Sequence, residues 1–406
     1  MGNYSSSRRS GGRPSAFSGR KKSFHSGGNR SRGGKRKFGQ TIDPKRFVKA
    51  AKPIENEVYE PQHTFKDFAL HEHVQRNIDE INFTAPSQVQ DQAIKPALAG
   101  SDVIGIANTG TGKTAAFLLP TITKLIENRG EKVLIVAPTR ELAVQIQQES
   151  RRFAKGGRLF DALLIGGAPI NRQLRDLQKN PEILIGTPGR IKDHIERGSL
   201  KLDAVSTIVL DEVDRMLDMG FINDIRSILE KMPKERQSLF FSATLEPKIE
   251  QLIQTFTKQP VTIMARTAET SDNVEQTIQH YFEPTDKIEK LHDLLIKAET
   301  AKTLIFCETK HGSEKLSKEL QSRGFATDTI HGNKSQSQRQ RALKKFKDDQ
   351  VMILVATDVA ARGIDVKNIS HVINYDIPQT YDDYTHRIGR TGRAGETGQA
   401  VTFVTH

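Results

Sequence analysis

The sequence predicts an α/β protein of two tandem parallel-sheet domains with a cleft between them, preceded by a disordered basic tail. Three observations predict it. From about residue 65, short apolar, β-branched runs alternate with helix-like stretches, the grammar of a buried sheet covered by helices on both faces. A polar stretch at 266–275 interrupts that series, and the same grammar then resumes. Residues 1–40 hold eleven Lys or Arg, nine Gly, nine Ser and no acid, too little apolar surface to offset the entropy of ordering. One continuous sheet would need about eleven strands, beyond the usual range. The expected organisation is a tail at 1–48, a first domain at 49–265, a linker at 266–275 and a second domain at 276–406.

Strand candidates in the first domain are 102–107, 132–138, 161–166, 182–186, 207–210 and 238–241, with helix-like stretches at 141–153 and 223–231. In the second they are 303–307, 326–330, 352–356, 371–375 and 400–404.

Composition excludes several classes. The single cysteine, Cys307, rules out an intrachain disulfide framework and a multi-cysteine zinc site, fits a reducing compartment, and is read as core packing. No apolar run approaches the roughly 18–20 residues of a bilayer span, and the basic N-terminus has no hydrophobic core of a secretory signal. A cytoplasmic monomer is expected. Of the net +12, eleven charges lie in the tail, leaving 50 basic against 49 acidic residues elsewhere. The tail's cations suit phosphates, and Tyr4, Phe17, Phe24 and Phe38 suit unpaired bases; a merely solvating extension is the alternative.

Chemistry concentrates after two of these strands. Ala107-Asn108-Thr109-Gly110-Thr111-Gly112-Lys113-Thr114 follows a strand and opens a helix, the context of a phosphate-binding loop. Thr109, Gly110, Thr111 and Gly112 would offer converging N–H groups, Lys113 would reach the β/γ-phosphates, and the Thr114 hydroxyl would ligate Mg²⁺. Ala107 stands where the usual pattern has Gly. Asp211-Glu212-Val213-Asp214 ends the strand at 207–210; Asp211 would hold Mg²⁺, and Glu212 would orient and deprotonate the attacking water.

Further runs appear in order: Pro138-Thr139-Arg140-Glu141-Leu142-Ala143, Gly166-Gly167, Thr187-Pro188-Gly189-Arg190, Ser242-Ala243-Thr244, Gln336…Arg339, Thr357-Asp358-Val359-Ala360-Ala361-Arg362-Gly363-Ile364-Asp365 and His386-Arg387-Ile388-Gly389-Arg390-Thr391-Gly392-Arg393. From Phe65 to His406 the chain resembles the DEAD-box RNA helicases of helicase superfamily 2, with Val213 at the third position of the tetrad. Asn82 to Gln90 resembles that family's Q motif, with Asn82 for its initial Gly and Gln88 for its second Pro. Asp214 and the Q motif separate it from the related DEAH type.

The resemblance implies two RecA-like domains, ATP and Mg²⁺ as cofactors, and RNA as partner. It implies that the Gln90 amide reads the adenine edge, that Phe65 stacks on the ring, and that Asp365 accepts from the ribose. Arg390 and Arg393 become arginine fingers, so that hydrolysis requires cleft closure. Pro138, Thr139, Arg140, Gly167, Thr187, Gly189, Arg190, Gln336, Arg339, Thr357, Arg362 and Gly363 become the RNA face, with weak sequence preference. Asp214, Ser242, Thr244 and His386 couple the two. The implied function is ATP-dependent unwinding of short RNA duplexes; an ATP-gated RNA clamp or annealing chaperone is the alternative.

Overall fold

The computed structural model describes residues 42–51, 59–108, 110–265, 273–297, 302–361, 366, 368–392 and 397–406. The basic tail at 1–41 therefore lies outside the described residues, as do Thr109, Arg362, Gly363, Asp365 and Arg393. Ile42–His406 is one compact unit built around two sheets.

The first sheet comprises β1 (Val103–Ala107), β2 (Lys132–Val136), β3 (Asp161–Leu164), β4 (Ile183–Gly186), β5 (Val205–Asp211), β6 (Gln237–Ser242) and β7 (Val261–Ala265), in the order β3-β4-β2-β5-β6-β1-β7. The second comprises β8 (Val274–Tyr281), β9 (Lys302–Phe306), β10 (Thr327–Ile330), β11 (Ile353–Ala356), β12 (Ile369–Asn374) and β13 (Gly398–Thr405), in the order β10-β11-β9-β12-β13-β8. Every ladder is parallel. Central strands such as β1, β4 and β9 are buried at every position, because helices cover both faces. Two apolar clusters flank the first sheet and two flank the second. Cys307 is buried in one of them, and burial pushes its thiol up to about 12. No helix among the described residues is long and apolar enough to cross a membrane.

Three expectations need correction. The sheets hold two strands not foreseen, β7 and β8. Both are edge strands with broken apolar runs, Val261 and Thr262 being exposed and Glu275 alternating outward. The expected linker at 266–275 overruns β8, which begins at Val274. Finally, the expected tail at 1–48 includes ordered chain. Pro44–Phe47 forms a 3₁₀ turn capped by Asp43, Phe47 is 0% exposed, and Lys49 exchanges two backbone hydrogen bonds with Gln276 of β8. Residues 42–51 therefore dock on the second domain. A fully buried Phe contributes roughly 1.5–3 kcal/mol, and the backbone pair with Gln276 and the Arg46 guanidinium over the Tyr381 ring add to it.

Candidate active site and nucleic-acid face

The turn after β1 is shaped for phosphate. Gly110 and Gly112 adopt φ of 86° and 93°, and a Cβ on Gly112 would strike the Gln90 amide. Glycine is thus required there twice over. The Lys113–Glu127 helix starts directly afterwards, so its first N–H groups and positive dipole end face the loop. Thr114, half-buried, lies in that first turn. Lys113 Nζ donates to the Ala107 carbonyl at 2.8 Å, and Thr111 Oγ1 donates to the Asn108 carbonyl at 2.8 Å. Ala107 tolerates its methyl because it is the last extended residue of β1.

Asp211 closes β5 and Glu212 follows with φ 54° and ψ 56°, a left-handed conformation that a non-glycine side chain holds only under constraint. Both are buried. Burial and the neighbouring Glu212 charge push Asp211 up to about 7, against the pull of Lys113. Burial also pushes Glu212 up, but Arg215, Lys113, Arg390 and His386 together hold it below the ordinary carboxylate value. Arg215 Nε is 3.6 Å from Glu212 Oε2. Among the described residues, Asp211 Oδ1 is buried without a hydrogen-bond partner. An orphaned, buried carboxylate oxygen in the field of Lys113, next to which Thr114 follows in the helix, is a hard oxygen donor of the kind Mg²⁺ takes.

Two of the groups acting on Glu212, Arg390 and His386, come from the second domain. Their placement rests on Arg387. Its Nε and Nη2 donate to both Asp358 oxygens at 2.6 and 2.7 Å, and its Nη1 donates to Asn374 Oδ1 at 3.1 Å and the Asp376 carbonyl at 2.7 Å. This fork pins the Tyr381–Ile388 helix. Arg390, 3% exposed, donates from Nε to the His386 carbonyl at 3.3 Å, and it shares a small cavity with Arg215 of the first domain.

On the other side of the cleft a cavity of about 500 Å³ is lined by Pro138, Thr139, Arg140, Gly166, Thr187, Gly189 and Arg190 of the first domain and by Gly332 and Arg339 of the second. The Arg140 guanidinium lies over Gly166 and Gly167, where a Cβ on Gly167 would collide with it. Thr139 Oγ1 accepts from Leu142 N at 3.2 Å and so caps the Arg140–Phe153 helix. Arg190 Nε is 3.6 Å from Asp193, and its Nη1 is buried without a partner among the described residues.

Residues 87–252 match the DEAD/DEAH box helicase family, and residues 286–395 match the helicase conserved C-terminal domain. The chain is 45% identical over 342 residues to the ATP-dependent RNA helicase CshA of Listeria monocytogenes, covering 84% of this chain and 66% of that one. It is 31% identical to Mss116p in complex with single-stranded RNA and AMP-PNP, covering 84% and 74% of the two chains at a TM-score of 0.76. The chain belongs to the DEAD-box helicase family. A DEAD box protein of Methanococcus jannaschii is 39% identical, covering 84% and 93%, at a TM-score of 0.50.

Within this DEAD-box chain the residues around the cleft fall into three groups. Lys113 and Arg390 act electrostatically on Glu212, and Lys113 on Asp211; Thr114 lies in the first turn of the helix that Lys113 opens. Asp214 and Ser242 join directly, Asp214 N donating to Ser242 Oγ at 3.3 Å. Thr357 directly follows β11, its N–H held by the Ile330 carbonyl at 3.3 Å. The second group is engaged differently. Gln336 and Arg339, expected on RNA, donate to the Glu141 carboxylate at 3.4 and 2.8 Å. They are 6% and 5% exposed, so here they bridge the domains; their i, i+3 spacing places both on one helix face. Phe65, expected as a stacking platform, is 3% exposed and packs on Phe68 and Phe83, at ring centroids 6.3 and 5.9 Å. The apolar cluster claims the ring. Gln90 Oε1 accepts from Ser87 N at 3.0 Å and Nε2 donates to the Gly112 carbonyl at 3.0 Å, leaving one N–H and one lone pair uncommitted by these bonds. The third group comprises residues the sequence did not single out: Glu141 as bridge acceptor, Asp358 and Arg387 as the pin, Arg215 beside Glu212, and Asp91. Only Glu141, Asp358 and Arg387 carried a signal, as members of quoted motifs.

Proposed function

We propose that the chain is an ATP-dependent RNA helicase in which RNA-stimulated ATP hydrolysis is coupled to cleft closure, bending of one strand and local opening of short duplexes. The observation that carries this reading is the cavity that His386 and Arg390 of the second domain share with Arg215 of the first, whose Nε lies 3.6 Å from Glu212 Oε2. A site divided in this way is complete only when the domains meet.

In this reading Lys113 leaves the Ala107 carbonyl for the β/γ-phosphates, and the loop N–H groups hold the remaining oxygens. Glu212, kept ionised by its cationic neighbours, accepts the proton of the attacking water. Arg390 neutralises charge on the transferred phosphoryl group. Thr114 and Asp211 would hold Mg²⁺, which when bound screens charge on the phosphate oxygens. Arg140, Thr187 and Arg190 meet phosphate and ribose oxygens, which carry little sequence information. Arg393 and Asp365 are assigned as second finger and ribose acceptor. The clamp or annealing alternative predicts the same binding with little strand release.

Glu212→Gln separates the parts of this proposal. The variant should bind RNA and ATP, release at most one strand per molecule, and turn over at least 100-fold more slowly in a steady-state assay. Repeated unwinding by the variant would remove Glu212 from its role.

A further inference from the structure

Two elements of the first-domain RNA face are tied together by buried side chains. β3 and β4 lie side by side in the first sheet, and each feeds one of these elements. Gly166-Gly167 follows β3, while Thr187 and the Pro188–Glu196 helix follow β4. Gln173, 3% exposed, belongs to the Ile170–Gln178 helix. Its Nε2 donates to the Ile165 carbonyl at 3.0 Å and to the Ala168 carbonyl at 3.3 Å. One amide thus grips both ends of the Gly166-Gly167 turn. The other end of that amide, Oε1, lies 3.1 Å from Nε2 of His194, a fully buried residue of the Pro188–Glu196 helix.

The partners fix the direction of these bonds. Both Gln173 N–H groups are committed to carbonyls, so Oε1 faces the ring and His194 Nε2 carries the proton. His194 Nδ1 then accepts from the Ser199 hydroxyl at 2.9 Å. Burial, Arg190 and Arg197 hold His194 below the ordinary histidine value against the pull of Asp193, so the ring is neutral with both nitrogens satisfied. His194 stands four residues after Arg190, which puts the two on one face of the helix. Arg190 lines the cavity of about 500 Å³ together with Gly166, and its Nη1 is buried without a hydrogen-bond partner among the described residues. Holding His194 sets the rotation of the helix about its axis, and with it the place of that guanidinium.

We propose that Gln173 and His194 are positioning residues for RNA: their bond fixes the Gly166-Gly167 turn against the helix of Arg190, so that both elements meet phosphates of one strand. They act through the groups they hold. The inference rests on the RNA-helicase reading and adds to it two residues outside the quoted motifs.

Binding of single-stranded RNA to the full chain with AMP-PNP, titrated at several salt concentrations, tests the proposal. His194→Phe fills the ring's volume without either nitrogen. It should weaken RNA binding about tenfold and flatten the slope of log affinity against log salt by about 0.7, the share of one phosphate contact on a single strand. Arg190→Gln should do the same, and the double variant no more. His194→Gln keeps an N–H donor for Gln173 and should bind RNA as wild type does. Without RNA, His194→Phe should bind AMP-PNP within twofold of wild type. Wild-type RNA affinity and salt slope in His194→Phe, whatever its urea midpoint, would make the pair a packing feature and overturn the proposal. Slope changes that add in the double variant, or a loss in His194→Gln as large as in His194→Phe, would also contradict it. Should His194→Phe not fold, Gln173→Met removes the same bond from the other side and is read by the same criteria. A wild-type chain with no affinity for RNA would sink the helicase reading, and this inference with it.

Discussion

Asp214 holds Ala243: its Oδ2 accepts the Ala243 backbone N–H at 2.9 Å, and the Thr244 N–H at 3.2 Å. Its Oδ1 accepts from Arg215 N at 3.0 Å. One carboxylate thus joins the segment carrying Glu212 to the turn that ends β6. Asp214→Ala leaves three N–H groups without this acceptor, at about 1–3 kcal/mol for each that stays dry. The expected outcome is a clearly lower urea midpoint together with reduced RNA-stimulated turnover. An unchanged midpoint with normal turnover would show that the carboxylate carries neither load.

The bridge from Glu141 to Arg339 crosses between the domains with both side chains nearly buried. Removing one partner strands a buried charge, at about 3–5 kcal/mol. Arg339→Gln and Glu141→Gln should each destabilise the chain more than the pair together. A double-mutant cycle in urea reads the coupling; strictly additive effects would mean that the bridge contributes nothing of its own.

Asp211 predicts an inverse relation between stability and activity. Its ordinary value of 3.8 is raised to about 7 in the fold, so the folded chain penalises the ionised form. That penalty is absent below about pH 3.8, grows as pH rises, and is complete above about pH 7. Asp211→Asn removes it. The variant should be more stable than wild type at pH 8, on the order of 2–4 kcal/mol, with the advantage fading toward pH 4, while ATP turnover is lost. Denaturation series at several pH values check this, and an advantage that grows on acidification contradicts it.

The α/β layering was legible because buried parallel strands are written as contiguous apolar runs. Val261–Ala265 and Val274–Tyr281 were not, since an edge strand with one wet face alternates instead. Asn82, which stands for glycine in the Q motif, was legible as an oddity and has a simple cause: it sits at φ 56°, where Asn is tolerated. Glu212's own positive φ leaves no trace in sequence, because Glu is not a residue that announces such a turn. The motif residues of the nucleotide site were readable in order along the chain. What they touch was not: Arg339 meets a carboxylate 198 positions away, and Phe47 leaves an apparently polar tail for a pocket more than 300 residues later. Contacts of that range are set by topology, which pattern alone does not fix.

Steady-state ATP hydrolysis by the full chain, with and without single-stranded RNA and with matched single-stranded DNA, tests the divided site most directly. Strong stimulation by RNA alone is the predicted result. Hydrolysis at the same rate without RNA would mean that Arg390 reaches Glu212 unaided, and would contradict coupling of turnover to RNA-driven closure.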